Sequence, residues 1–216
     1  MKREELARMI DHTLLRVEAS RNDIERICRE AIQYSFYSVC TNPYWVRLVR
    51  SLVKGTEVKV CSVSGFPLGA STAEVKVEEA RRCAHEGADE IDMVMNVGAF
   101  KDGDHSLVRD EIERVVEAAG KGRIIKVIIE ACVLTDEEKI RSSKLAAEAG
   151  AGFVKTSTGF ASGGATASDV RLMRKAVGPK VGVKASGGVR TFEQAVLLVE
   201  AGASRIGTSA SVDLVT

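Results

Sequence analysis

Short runs rich in Val, Ile and Met alternate along the whole chain with longer segments whose apolar residues recur three and four apart. A strand period followed by a helix period, repeated, confines the fold to α/β architectures with a parallel sheet. Candidate strands cover residues 9–13, 36–40, 58–63, 90–95, 124–129, 153–155, 180–185 and 204–206. The fifth, Ile124-Ile125-Lys126-Val127-Ile128-Ile129, is the clearest, because so dense a β-branched run suits a strand buried on both faces. Helix starts are marked chemically. Ser20 opens a helix over 20–34, and Asn42-Pro43 opens another over 43–53. Ser71 with Glu74, Thr135 with Glu138 and Thr191 with Gln194 have capping-box spacing. Further helices are expected over 104–119 and 166–177, and a last helical turn is expected to start at Gly207-Thr208-Ser209.

Eight strands at a spacing of roughly 25 residues predict a single (β/α)8 TIM barrel spanning residues 1–216. Residues 2–9 are expected to form a short helix closing the barrel floor. An open doubly wound sheet is the alternative, but no GxGxxG follows the first strand. Polar and glycine-rich residues also gather after nearly every strand, as the active face of a barrel requires.

The formal net charge is +1, so no basic stripe points to nucleic acid. No apolar run reaches the roughly 18 residues of a membrane span, so no membrane partner is expected. The start, Met1 to Arg8, is charged and lacks the apolar core of a signal peptide. Five scattered cysteines without a CxxC pair fit free thiols in a reducing cytoplasm, and the three histidines form no zinc pattern. No metal site is therefore expected. Apolar residues on the outer helices leave room for a homo-oligomer, a dimer or tetramer. His12 and His85 read as hydrogen-bonded structural histidines, Cys40 as a small buried thiol, and the charges on the 104–119 helix as a solvated face.

In a barrel, residues at the carboxyl ends of the strands share one mouth. Here these are Asp11, Cys40, Asp92, Lys126, Lys155 and Lys184. Lys155, ending a buried strand before Thr156-Ser157-Thr158-Gly159, is placed where loss of water favours the neutral amine that attacks carbonyls. Lys184 ends the next strand, about 5 Å away. Two ammonium groups at that range disfavour double protonation, and which lysine is neutral stays open. Asp92 would be costly to bury alone and is expected to face both lysines. A purely structural ion network is the other reading of this triad. Ser186-Gly187-Gly188 and Gly207-Thr208-Ser209 follow the seventh and eighth strands, where barrels hold phosphate, and Thr158-Gly159 adds a third edge. Together these residues describe a Schiff-base enzyme acting on a phosphorylated carbonyl compound.

From Asp11-His12-Thr13 to Gly207-Thr208-Ser209 the chain resembles the deoxyribose-phosphate aldolases, class I aldolases on a (β/α)8 barrel. The resemblance is carried by Glu90-Ile91-Asp92, Lys155-Thr156-Ser157-Thr158-Gly159 and Lys184-Ala185-Ser186-Gly187-Gly188. It implies reversible cleavage of 2-deoxy-D-ribose 5-phosphate to D-glyceraldehyde 3-phosphate and acetaldehyde, without metal or organic cofactor. It also implies roles: Lys155 as Schiff-base lysine, Lys184 and Asp92 in proton transfer, and Asp11 on a substrate hydroxyl. Thr158, Gly159, Gly187, Gly188, Gly207 and Ser209 would surround the phosphosugar. Three departures stand out. Phe160 replaces a lysine that some members carry near the phosphate, Ala210 follows Ser209 where a second serine is common, and no tyrosine stands near Val215-Thr216. Water or Asp92 would then serve the step that such a tyrosine assists. A transaldolase-like or isomerase barrel, or a catalytically silent phosphosugar-binding barrel, are the rival expectations.

Overall fold

The β-branched runs form strands β1 (Ile10–Leu14), β2 (Ser38–Thr41), β3 (Lys59–Ser64), β4 (Glu90–Val94), β5 (Ile124–Ile128), β6 (Phe153–Lys155), β7 (Gly182–Ser186) and β8 (Arg205–Thr208). In the computed structural model, which describes residues 1–216, they pair in chain order into a closed barrel. β8 returns to β1 through Ile10↔Ile206 and Asp11↔Gly207, and all pairings are parallel. The helices are α1 (Arg3–Ala7), α2 (Arg21–Gln33), α3 (Val46–Leu52), α4 (Ala73–Glu86), α5 (Val97–Lys101), α6 (His105–Ala119), α7 (Asp136–Glu148), α8 (Ala167–Val177), α9 (Phe192–Glu200) and α10 (Ser211–Val215). This is the (β/α)8 TIM barrel. The short α1 precedes β1, buries Leu6 in the main core and packs on α9 and α10.

Local chemistry explains most element starts. Ser20, Thr135 and Thr191 accept from the backbone three residues on, and the carboxylate or amide at that position returns the bond. The Ser71–Glu74 box does not form. Thr72 is the cap residue, makes no side-chain cap bond, and Ser71 Oγ is buried without a partner. The first turn of α4 is held from inside instead, by Lys76, whose ammonium reaches the carbonyls of Gly69 and Val94. β2 starts two residues later than expected, because Phe36 N–H closes the end of α2 on Ala31 O. Asn42 caps no helix with its side chain but donates to Leu15 O, and the expected 43–53 helix divides into a 3-10 turn (Pro43–Trp45) and α3. α5 is too short for a periodic signal and is set by Asn96 Oδ1 accepting from Ala99 N–H. Gly207 and Thr208 complete β8, so the last helix begins only at Ser211.

One apolar cluster fills the space between barrel and helices. The barrel interior differs from the usual aliphatic filling. At its floor the Arg205 guanidinium lies 3.4 Å from the Tyr37 ring centroid and 5.2 Å from that of Phe153. Gly182 makes room for Phe153, since a Cβ there would fall 2.2 Å from the ring. Above the floor come Glu90, Asp11 and Lys126, then Asp92, Lys155 and Lys184 toward the mouth, all buried.

Candidate active site

Strand register brings the charges together. Lys155 and Lys184 are direct partners across β6 and β7, and Asp92 is the partner of Lys126 across β4 and β5. Asp92 Oδ2 accepts from Lys155 Nζ at 2.8 Å and from Lys184 Nζ at 2.7 Å. Its Oδ1 accepts from Lys126 Nζ at 2.8 Å. Lys126 also meets Glu90 at 2.6 Å, while Lys184 meets Asp11 Oδ2 at 2.5 Å. Arg205 Nη1 lies 2.9 Å from both Asp11 Oδ1 and Glu90 Oε2.

Burial sets these titrations first, and charge then overrides it. Burial alone would lift the Asp92 carboxyl, but Lys126, Lys155 and Lys184 hold it well below the ordinary range. Burial would also lift Asp11, which Lys184, Lys126 and Arg205 hold down. Lys184, pushed down by burial, is held above the ordinary lysine range by Asp11 and Asp92. The expected mutual depression of a lysine pair is therefore not what governs Lys184: two carboxylates outweigh its neighbour and keep it protonated.

The network holds four cations (Lys126, Lys155, Lys184 and Arg205) against three carboxylates (Asp11, Glu90 and Asp92). One positive charge is in excess. Lys184 and Lys126 each face more than one carboxylate, whereas Lys155 faces Asp92 alone. Lys155 is therefore the least-paired cation of the network.

Lys155 is also the only one of the three lysines that lines the mouth cavity, a space of about 330 Å³. Thr158, Gly159, Gly187, Gly188, Gly207 and Ser209 line it too, together with Arg16 and Arg190. The seven cavity residues expected from sequence thus meet in one place. Asp92, Lys184 and Asp11 lie beneath it, fully or almost fully buried. Asp11, expected on a substrate hydroxyl, is buried with its oxygens turned to Ser38, Arg205 and Lys184 and does not line the cavity.

The loops after β7 and β8 turn through glycines and leave backbone N–H groups free. Gly187 and Gly188 have φ of +89° and +74°, a conformation that favours glycine. A Cβ on Gly187 would fall 3.0 Å from Gly164 Cα. The N–H groups of Gly187, Gly188 and Ser209 have no acceptor within the protein. Ser186 Oγ donates to Ser157 O at 2.6 Å and Thr156 Oγ1 donates to Ser186 O at 3.0 Å, locking the lysine loop to the glycine turn. Thr158 is held by Glu130, whose carboxylate accepts from its hydroxyl at 2.5 Å. Phe160 is exposed at the rim and meets Phe66 edge-on.

Several residues went unread in the sequence. Glu90 stands two before Asp92 on the same strand, and the two-residue period could have placed it inside. Arg190 stands two residues after Gly188. Glu130 and Arg205 carried no local signal. Cys40 is buried as expected. His12 joins Ser211 and Glu30, whereas His85 is exposed on α4 outside any side-chain hydrogen bond. Glu111 departs from the solvated face of α6 and is buried against Lys76. Two groupings, Cys40–Cys61–Asp92 and Asp11–Cys61–Glu90, have the spacing of metal donors, but their carboxylates are already ion-paired to lysines or Arg205. No helix is long and apolar enough to cross a membrane.

Comparison with known proteins agrees with this geometry. A deoxyribose-phosphate aldolase of Thermococcus gammatolerans is 59% identical over 214 residues, covering 98% of this chain and 95% of the relative. One from Clostridium perfringens is 56% identical over 212 residues, with 98% and 95% coverage. A tetrameric deoxyribose phosphate aldolase from Aeropyrum pernix superposes with a TM-score of 0.93 at 37% identity, covering 99% of this chain and 91% of that one. The family profile described as DeoC/LacD family aldolase matches residues 6–211, and the chain belongs to that family.

Proposed function

We propose that this aldolase reversibly cleaves 2-deoxy-D-ribose 5-phosphate to D-glyceraldehyde 3-phosphate and acetaldehyde through a Schiff base on Lys155. The observation that carries the reading is positional. One lysine opens onto the cavity, its buried neighbours stay charged, and a glycine-lined anion cup stands beside it. The names of the relatives supply the substrate.

The uncharged Lys155 amine attacks C1 of the open-chain aldehyde, and loss of water leaves an iminium. A base takes the proton of the C3 hydroxyl and the C2–C3 bond breaks. Its electron pair moves into the iminium to give the enamine, and glyceraldehyde 3-phosphate leaves. Protonation of the enamine carbon and hydrolysis release acetaldehyde and restore Lys155. Asp92, bonded to both lysines, is placed to pass protons between Lys155, Lys184 and water in the cavity. Asp11 acts one step back by keeping Lys184 charged. The amides of Gly187, Gly188 and Ser209 receive the phosphate, with Thr158, Gly159 and Gly207 completing the wall. Arg190 and Arg16 supply the positive charge that Phe160 does not. The iminium is the electron sink, so this chemistry calls on no metal or organic cofactor.

Free thiols fit a cytoplasmic setting, and the tetramer of the Aeropyrum pernix relative supports a homo-oligomer. Borohydride reduction in the presence of acetaldehyde, followed by peptide mass mapping, tests the reading. A reduced two-carbon adduct on Lys155 is expected. An adduct on Lys184 would reverse the lysine roles, and no adduct in a protein that still binds the phosphosugar would indicate a silent barrel.

Two smaller results are expected. Arg190→Ala should raise KM for deoxyribose 5-phosphate about tenfold with kcat little changed, since it removes a charged contact to a group remote from the reacting bond. An unchanged KM would remove Arg190 from the phosphate site. Lys184→Leu should move the pH–rate profile to higher pH, because it removes a positive charge that strand register sets beside the reacting amine. A lower rate with an unmoved profile would leave Lys184 only a part in proton transfer.

A further inference from the structure

Lys76 and Glu111 sit on the outer helices α4 and α6, yet they are 0% and 1% exposed. Their charges meet at 2.6 Å. Every other polar contact of the two charged ends goes to the backbone of segments at the barrel mouth. Lys76 Nζ donates to Gly69 O at 2.7 Å and to Val94 O at 2.9 Å. Glu111 Oε2 accepts from Asn96 N–H at 3.1 Å. An ion pair taken out of water is a weak way to add stability, because apolar residues of similar volume do as well or better. What the pair provides that apolar residues do not is a donor that ties two carbonyls to one point.

The tied loop, residues 65–69, is wrapped around the Lys76 side chain. A Cβ on Gly65 would fall 2.7 Å from Lys76 Cε, and one on Gly69 would fall 2.2 Å from Met95 O. Gly65 N–H donates to Glu79 at 2.7 Å, and Gly69 N–H donates to Gly65 O at 2.7 Å. Both ends of the loop are therefore pinned, and Phe66 stands within it. Its ring centroid lies 6.0 Å from Lys155 Nζ and 5.3 Å from the ring of Phe160. Neither Lys76 nor Glu111 reaches the cavity.

We propose that the Lys76–Glu111 pair is a positioning device for the aldolase reaction: it clamps Gly69 and Val94 so that Phe66 stands as a fixed apolar wall beside Lys155. That wall keeps water from one side of Lys155 and fixes the direction from which its amine meets a carbonyl in the cavity. The inference rests on Lys155 being the Schiff-base lysine.

The test compares wild type, Phe66→Ala and the double variant Lys76→Met/Glu111→Gln. The double variant removes both buried charges and keeps an acceptor for Asn96 N–H, whereas Lys76→Met alone would strand a buried carboxylate. Circular dichroism and Tm establish folding. On deoxyribose 5-phosphate, the folded double variant and Phe66→Ala are each expected to lose about tenfold in kcat, with KM within about twofold. Adding Phe66→Ala to the double variant should cost nothing further, since both act through one wall. An active wild type whose kcat survives Phe66→Ala overturns the proposal, and so does a folded double variant with wild-type kcat. If the double variant does not fold, Phe66→Ala alone decides. A wild type with neither cleavage nor a reducible imine overturns the proposed function and this inference with it.

Discussion

Lys155→Ala is expected to abolish deoxyribose 5-phosphate cleavage, with a loss of about 10⁴-fold or more, the scale seen when a covalent nucleophile is removed. The fold should survive. Lys155 is the least-paired of the three interior lysines, and the network without it has as many cations as carboxylates. Stability should therefore stay near that of the wild type, while borohydride trapping with acetaldehyde disappears. Thermal melts and trapping on the same sample separate the two effects. A variant that keeps substantial activity, or that still traps a two-carbon adduct on Lys184, would take the nucleophile's role away from Lys155.

Asp92→Leu should damage both function and fold. One carboxylate serves three lysines, and its removal leaves Lys126, Lys155 and Lys184 facing one another in a buried space. Breaking a buried ion pair from one side costs about 3–5 kcal/mol, which for a chain of this size lowers Tm by about 10 °C. The pH dependence carries a sign. The folded carboxyls of Asp92 and Asp11 are held below their unfolded value by the lysines and Arg205. Their contribution is complete above about pH 4 and is withdrawn as pH falls from there toward the depressed folded values. Wild type should thus lose stability on acidification in a range where Asp92→Leu, which keeps only the Asp11 share, changes less. Melts at several pH values check this, and parallel curves for the two proteins would refute it. Activity should fall by about 10²–10⁴-fold, as for loss of a positioned proton-transfer group.

Much of the fold was legible because its causes are local. The capping pairs at Ser20, Thr135 and Thr191 act within one helical turn, and the β-branched run at 124–129 forms a strand on its own chemistry. Strand ends were therefore placed within a few residues, and the barrel rule then collected Lys155, Gly187, Gly188 and Ser209 around one mouth. Where a local signal competed with a distant contact, the distant contact prevailed. Ser71 and Glu74 have capping-box spacing, but Lys76 holding Gly69 and Val94 sets the start of α4. Glu111 follows the charged pattern of α6, yet its partner lies on α4 and both are buried.

The amino-acid sequence determined the alternating elements, the family and the residue types at the strand ends. Only the tertiary structure decided which charge faces which. Asp92 reaches Lys155 and Lys184 across gaps of 63 and 92 residues, and Asp11 reaches Arg205 across 194. Those distances depend on how strand register closes around the barrel, and periodicity along a strand says only which face a side chain takes. For that reason Asp11 could be assigned to the mouth in advance, but its place beneath Lys184, holding that lysine charged, emerges only once β1 and β8 are joined.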